Sequence, residues 1–185
     1  MTIKLLHCHS ATPNDSIDSL SVEIERDAEA GLTLRYRLAG HLEKILIPAA
    51  KPSAAGDGLW RHTCFEAFAA AAGTSAYREF NFSPSREWAA YAFGDYRARR
   101  PWSIGTPPVI EVSQPQDQLL LTARIAADDL PAGDRLTLGL TAVIESIDGN
   151  LSYWALHHPG EKPDFHDRAG FVYPLDSILS DNPLK

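Results

Sequence analysis

Methionine is nearly absent from this chain and cysteine is scarce: 185 residues carry one Met, at position 1, and two Cys, Cys8 and Cys64. Two thiols permit one disulfide at most, and Cys64 lies inside an apolar run, where a free thiol behaves as a small buried hydrophobe. Nothing in this usage demands an oxidising compartment. Long apolar runs are missing too. No stretch approaches the roughly 20 apolar residues of a membrane helix. His7, His9 and Asn14 interrupt the only candidate for an N-terminal leader. The expectation is a cytoplasmic protein with no membrane partner. Basic residues are outnumbered, 17 Lys and Arg against 24 Asp and Glu, for a net charge of −7. A nucleic-acid or anionic-membrane partner would want a basic face, and the short run Arg97, Arg99, Arg100 does not supply one.

Helical spacing is also lacking; alternation takes its place. Leu32, Leu34, Tyr36 and Leu38 fall on one side of an extended segment, with Thr33, Arg35 and Arg37 on the other. Leu119, Leu121, Ala123 and Ile125 repeat the pattern, as do Leu136, Leu138, Leu140, Ala142 and Ile144. Shorter strands are expected at 4–9, 21–26, 44–47, 64–71, 78–83, 88–93, 109–112, 151–156 and 171–175. The alanine-rich run 67–72 favours helix by composition but follows Phe65, Glu66 and Phe68 and stops at a glycine, so it reads as strand. The 13 prolines fall mostly in the breaks, where a missing amide donor does no harm. The expected fold is all-β, an antiparallel β-sandwich of jelly-roll type, formed by residues 1–185 as a single domain. In one hairpin, Asp148–Gly149 reads as a two-residue type I′ turn. That register pairs Ile144 with Tyr153, turning Tyr153 toward the core and Trp154 toward the opposite face beside Glu145.

Catalytic signatures are missing as well. There is no GxSxG elbow, HExxH, phosphate loop or GxGxxG opening a helix. No carboxylate pair stands out as a fixed acid and base, so the chain is not expected to be an enzyme. His157, His158 and His166 cluster near Asp164 and Asp167, yet adjacent strand histidines point to opposite faces, and no zinc spacing results. What the chain does have is four tryptophans, Trp60, Trp88, Trp102 and Trp154. Trp88 alternates with Ala90 and Ala92 and reads as core. Trp60, followed by Arg61 and His62, stands where a long loop joins a strand. Wide apolar rings beside polar side chains are the usual furnishing of a small-molecule site.

The succession LW–TCFEAF, Y–EFNFSP, EWAAYAF–YR, LTARIAADDL, LTLGLTAVIE and SYWALHHPGEKPDFHDRAGFVYPL resembles the strands of DOMON-like proteins, including family-nine carbohydrate-binding modules. The likeness spans roughly residues 32–175. It implies a β-sandwich that binds a ligand without transforming it. By position in those blocks, Trp60, Glu66, Asn81, Arg97, Trp154 and His166 become candidate ligand contacts, with Arg61 beside Trp60. A carbohydrate is the favoured ligand. A haem module is the alternative; the chain has no internal Met or CxxCH, which leaves two histidine ligands, His62 with His157, His158 or His166. A protein-interaction domain is the third reading. No cofactor is expected, with a structural Ca²⁺ and the haem left open. If Glu66 faces a core, its carboxylate needs a partner, and Arg97 is the candidate.

Overall fold

A computed structural model describes residues 2–27 and 29–176. Thirteen strands follow in chain order: β1 (Thr2–Cys8), β2 (Ile17–Arg26), β3 (Leu32–Gly40), β4 (Ala54–Ala55), β5 (Cys64–Ala71), β6 (Tyr77–Phe82), β7 (Glu87–Asp95), β8 (Ala98–Arg100), β9 (Val109–Ser113), β10 (Gln118–Ile125), β11 (Arg135–Glu145), β12 (Leu151–Ala155) and β13 (Tyr173–Asp176). Among the described residues the only helical pieces are four short 3₁₀ turns. One of them, Leu42–Lys44, replaces the strand expected at 44–47, leaving a single bridge between Ile45 and Ser146. The run 67–71 is strand, as its aromatic neighbours and the glycine after it predict.

All pairings are antiparallel except that of β4 with β7. The hydrogen-bonded order is β4-β7-β6-β5-β11-β12-β1-β2-β3-β10-β9, with β13 also on β11 and β8 on β7. This continuous sheet curls into two facing layers at β1. Residues Thr2–Leu6 of that strand pair with β2, whereas His7 and Cys8 pair with β12. The core fills the space between the layers. Val22, Leu34, Leu38 and Leu121 from one side meet Phe65, Phe80, Phe82 and Leu140 from the other. Tyr36 ties the layers directly: its hydroxyl donates to the Glu66 carbonyl at 2.8 Å, and its ring lies 5.0 Å from that of Phe65.

The layer holding β5, β6, β7 and β11 is buried on both faces. All eight residues of β5 are buried. Phe65, Ala67 and Ala69 face the core between the layers. Phe68 and Ala70 belong to a second apolar cluster, with Tyr77, Tyr91, Phe93 and Phe171, on the outer face. Phe171 can lie flat on that face because β11 carries Gly139 beneath it; a Cβ there would sit 2.8 Å from the ring.

The β11–β12 hairpin departs from the expected register. Ser146 N–H donates to the Asn150 carbonyl, so residues 147–149 form a three-residue loop, and Gly149 alone has positive φ, +85°. A type I′ turn needs two such residues; a type I turn closed by a left-handed glycine needs one. The pairs become Ile144 with Ser152, Val143 with Tyr153, and Ala142 with Trp154. A slip of one residue exchanges the faces of every side chain in the strand. Trp154 is therefore a core residue, 7% exposed, its indole N–H donating to Ser152 Oγ at 3.0 Å. Tyr153 takes the outer face instead.

Gly149 has no atom within 4 Å of a hypothetical Cβ. Gly149→Ala should thus cost only the left-handed backbone penalty, about 1–2 kcal/mol, as read by urea unfolding. An unchanged stability would refute the assigned turn.

Candidate functional site

The outer face of the doubly buried layer is not wholly covered. Between it and the loop that packs on it lies a cavity of about 360 Å³. That size is within the roughly 300–1,000 Å³ of small-molecule sites. Alternation decides what enters it. On β5, β6 and β7 the side chains opposite the core are Glu66 and Phe68, Glu79, and Tyr91 and Phe93, all of which line the cavity. Val143 and its cross-strand partner Tyr153 form another wall. The covering loop adds Pro163, Phe165 and His166, with the Phe165 and Tyr153 rings 5.8 Å apart. Trp60, on the 3₁₀ turn Leu59–Arg61 that follows the left-handed Gly58, stands edge-on to Tyr91 and is 37% exposed. Arg97 and Arg99 complete the lining.

Two carboxyls are buried against this space. Glu66 is 2% exposed; its Oε2 has only a long contact from Thr141 Oγ1, at 3.5 Å, and its Oε1 has no hydrogen-bond partner. Burial, and then the neighbouring charge of Glu79, push the Glu66 carboxyl well above the usual range. Burial also pushes Glu79 up, to about 7, against a hydrogen bond from Asn81 and the charges of Arg97 and Arg99. That bond, Asn81 Nδ2 to Glu79 Oε1, measures 2.8 Å.

Beside Glu79 runs a chain of fixed donors. The Arg97 backbone N–H donates to the Tyr77 hydroxyl at 3.1 Å, and that hydroxyl lies 2.9 Å from His166 Nδ1. In the tautomer in which Tyr77 donates to Nδ1, the hydrogen of the neutral imidazole sits on Nε2. Nε2 stands 3.7 Å from Glu79 Oε2. Burial, reinforced by the Arg97 charge, pulls the His166 pKa down to about 4 and keeps the ring neutral. Arg97 has φ +51°, a left-handed conformation that costs a non-glycine residue about 1–2 kcal/mol. Its guanidinium is held 2.8 Å from Asp164, which also accepts from Tyr96.

Of the seven residues picked from sequence, Trp60, Glu66, Arg97 and His166 come together at this cavity. Three do not line it. Trp154 is in the core through the register slip. Asn81 is fully buried behind Glu79 and serves to hold it. Arg61 is exposed on its turn. The expected Glu66–Arg97 pair does not form, because Asp164, on the covering loop, takes the guanidinium. Of the histidines weighed for haem, His62 is exposed and paired with Glu145 at 2.7 Å, while His158 Nε2 bonds the His7 carbonyl. Glu79, Tyr91, Tyr153 and Phe165 line the cavity without being among the residues expected from sequence. Glu79 was within reach, since it alternates with Phe80 and Phe82 and so shares the outer face with Glu66.

No family model matches the chain. No curated protein matches it either. Among solved structures it is similar to a putative carbohydrate-binding protein from Bacteroides uniformis ATCC 8492, at 15% sequence identity and a TM-score of 0.71. The match covers 96% of this chain and 86% of that one, so the two share a fold over nearly their whole length.

The carboxyls make a definite pH signature. Glu79, raised from 4.5 to about 7, keeps in the native state a proton that the unfolded chain releases, so its contribution to stability is lost as pH rises through that window. His166, lowered from 6.5 to about 4, gives the opposite slope, a gain as pH rises. Glu79→Gln removes the first effect and the part of the Glu66 shift that the Glu79 charge causes. Relative to the parent, it should be near neutral at pH 4.5 and more stable by on the order of 3 kcal/mol at pH 7, from urea unfolding at the two pH values. A difference independent of pH would overturn the assignment.

Proposed function

We propose that the protein binds a small carbohydrate in this cavity and does not transform it. The observation that carries the reading is the division of the lining. Flat rings stand on the walls and at the mouth, with buried carboxyls and a fixed imidazole N–H between them. Apolar faces of a sugar ring stack on aromatic surface, while its hydroxyls need paired donors and acceptors at fixed positions. Trp60, at the exposed edge, is placed to cover one face of a ring. Tyr91 and Phe165 offer further aromatic surface, a role first expected of Trp154. Glu66, Glu79 and His166 would read hydroxyls, and Arg97 would hold Tyr77 and the covering loop in place. The Bacteroides protein, a putative carbohydrate-binding protein, supports the same reading through its fold.

Isothermal titration against a panel of mono- and disaccharides tests it. We expect saturable binding of at least one sugar, weakened about tenfold or more by Trp60→Ala, corresponding to about 1.4 kcal/mol of lost stacking. Trp154→Phe should lower the melting temperature and leave affinity within about twofold. Failure of every sugar to bind the folded protein would sink the proposal.

A further inference from the structure

The weakest point of the cavity is Glu66. Among the described residues its Oε1 is a fully buried acceptor with no partner, and no ammonium or guanidinium bonds either of its oxygens. An orphaned polar atom at the bottom of a cavity calls for an explanation, since burial without a partner costs more than a hydrogen bond is worth. A second acceptor, Asn81 Oδ1, is orphaned beside the same pair. Apart from the proton the two carboxyls themselves hold, no described side chain donates to either orphaned oxygen.

The surrounding charge says which kind of donor. Glu66 and Glu79 stand on the lining, and Asp57 and Asp164 anchor its edges through Tyr91 and Arg97. Against these four carboxyls stand Arg97, already occupied by Asp164, Arg99, whose guanidinium lies 4.0 Å over the Tyr91 ring, and Arg61, whose charge acts on Asp57. No lysine lines the cavity, and His166 is neutral. The groups facing Glu66 add no positive charge: Glu79 from β6, Thr141 from β11, Cys64 on its own strand and Tyr36 from the opposite layer. The walls are aromatic, and a ring face attracts a cation.

Resting on the carbohydrate reading, we infer that the sugar bound here carries a primary amino group, and that Glu66 and Glu79 receive it as an ammonium ion. An ammonium brings three donors and one positive charge, which satisfies the orphaned Oε1 and relieves the repulsion between the two carboxyls. No bond is made or broken. On binding, the carboxyl proton held by the pair passes to the buffer, and the ammonium takes its place.

The experiment compares hexoses with their 2-amino and 2-acetamido counterparts (the gluco, galacto and manno series) by calorimetry at pH 7 in two buffers of different ionisation enthalpy. The expected result is that an amino sugar binds at least tenfold more tightly than both its parent hexose and its N-acetyl form, with release of about one proton. Glu66→Gln and Glu79→Gln, each checked for an intact melting transition, should abolish the preference and the proton release together. Equal or tighter binding of the parent hexose would overturn the inference and leave the carbohydrate reading standing, as would a preference that survives both variants. If no sugar of any form binds, the underlying reading fails and this inference goes with it.

Discussion

Everything at this site follows from one constraint: the sheet layer of β5, β6 and β11 is covered on both faces. A half-exposed sheet can place polar side chains in water and needs no account of them. Here the outer face is roofed by Phe165, His166 and Phe171, so each polar group on it loses its hydration. Thr141 and Asn81 offer partial compensation; Glu66 remains short of a partner. Leaving a buried polar group unpaired costs on the order of 1–3 kcal/mol, a sizeable fraction of a typical stability of 5–15 kcal/mol. A sheet face built only for packing would carry Val or Leu at those positions, as the inward face does with Leu138 and Leu140. The unfavourable placement of Glu66 is what packing alone does not account for.

The alternation that reveals the fold also reveals which strand residues can reach the cavity. Period two separates Phe65 and Phe80 from Glu66, Phe68 and Glu79 but leaves open which side is core; the structure sends Phe65 and Phe80 inward between the layers and the others to the cavity side. The same reasoning failed at Tyr153 and Trp154, because a strand's faces are known only as well as its register. Asp-Gly fits a two-residue type I′ turn and also a three-residue loop whose left-handed position is the glycine. The choice between them lies in packing, which buries Trp154 beside Ser152. Local sequence could not decide it.

The covering loop was beyond sequence reasoning for a different cause. Asp164 meets Arg97 across 67 positions and His166 meets Tyr77 across 89. No periodicity links such partners, and the proposed Glu66–Arg97 pair was the natural guess from adjacent strands. The resemblance to DOMON-like blocks pointed to His166 by its place in the closing segment, but said nothing of its contacts.

Those contacts explain how a loop without regular structure can hold a precise group. The 3₁₀ turn at Arg168–Gly170 is capped by Asp167, whose side chain accepts from the Ala169 N–H, and Phe171 then drops onto Gly139. Arg168 reaches back to the Ala76 carbonyl. His166 is thus fastened from both sides, by Asp164 at its own backbone and by Tyr77 at its ring. The left-handed Arg97 provides the Tyr77 contact through its backbone and the Asp164 contact through its side chain, so one strained residue sets both ends of the roof. Strain of about 1–2 kcal/mol at a single position is sustained because three bonds converge there. Releasing Arg97 would therefore loosen the imidazole and the loop at once, while the core between the two layers, anchored by Tyr36 and the leucines facing it, would stay as it is.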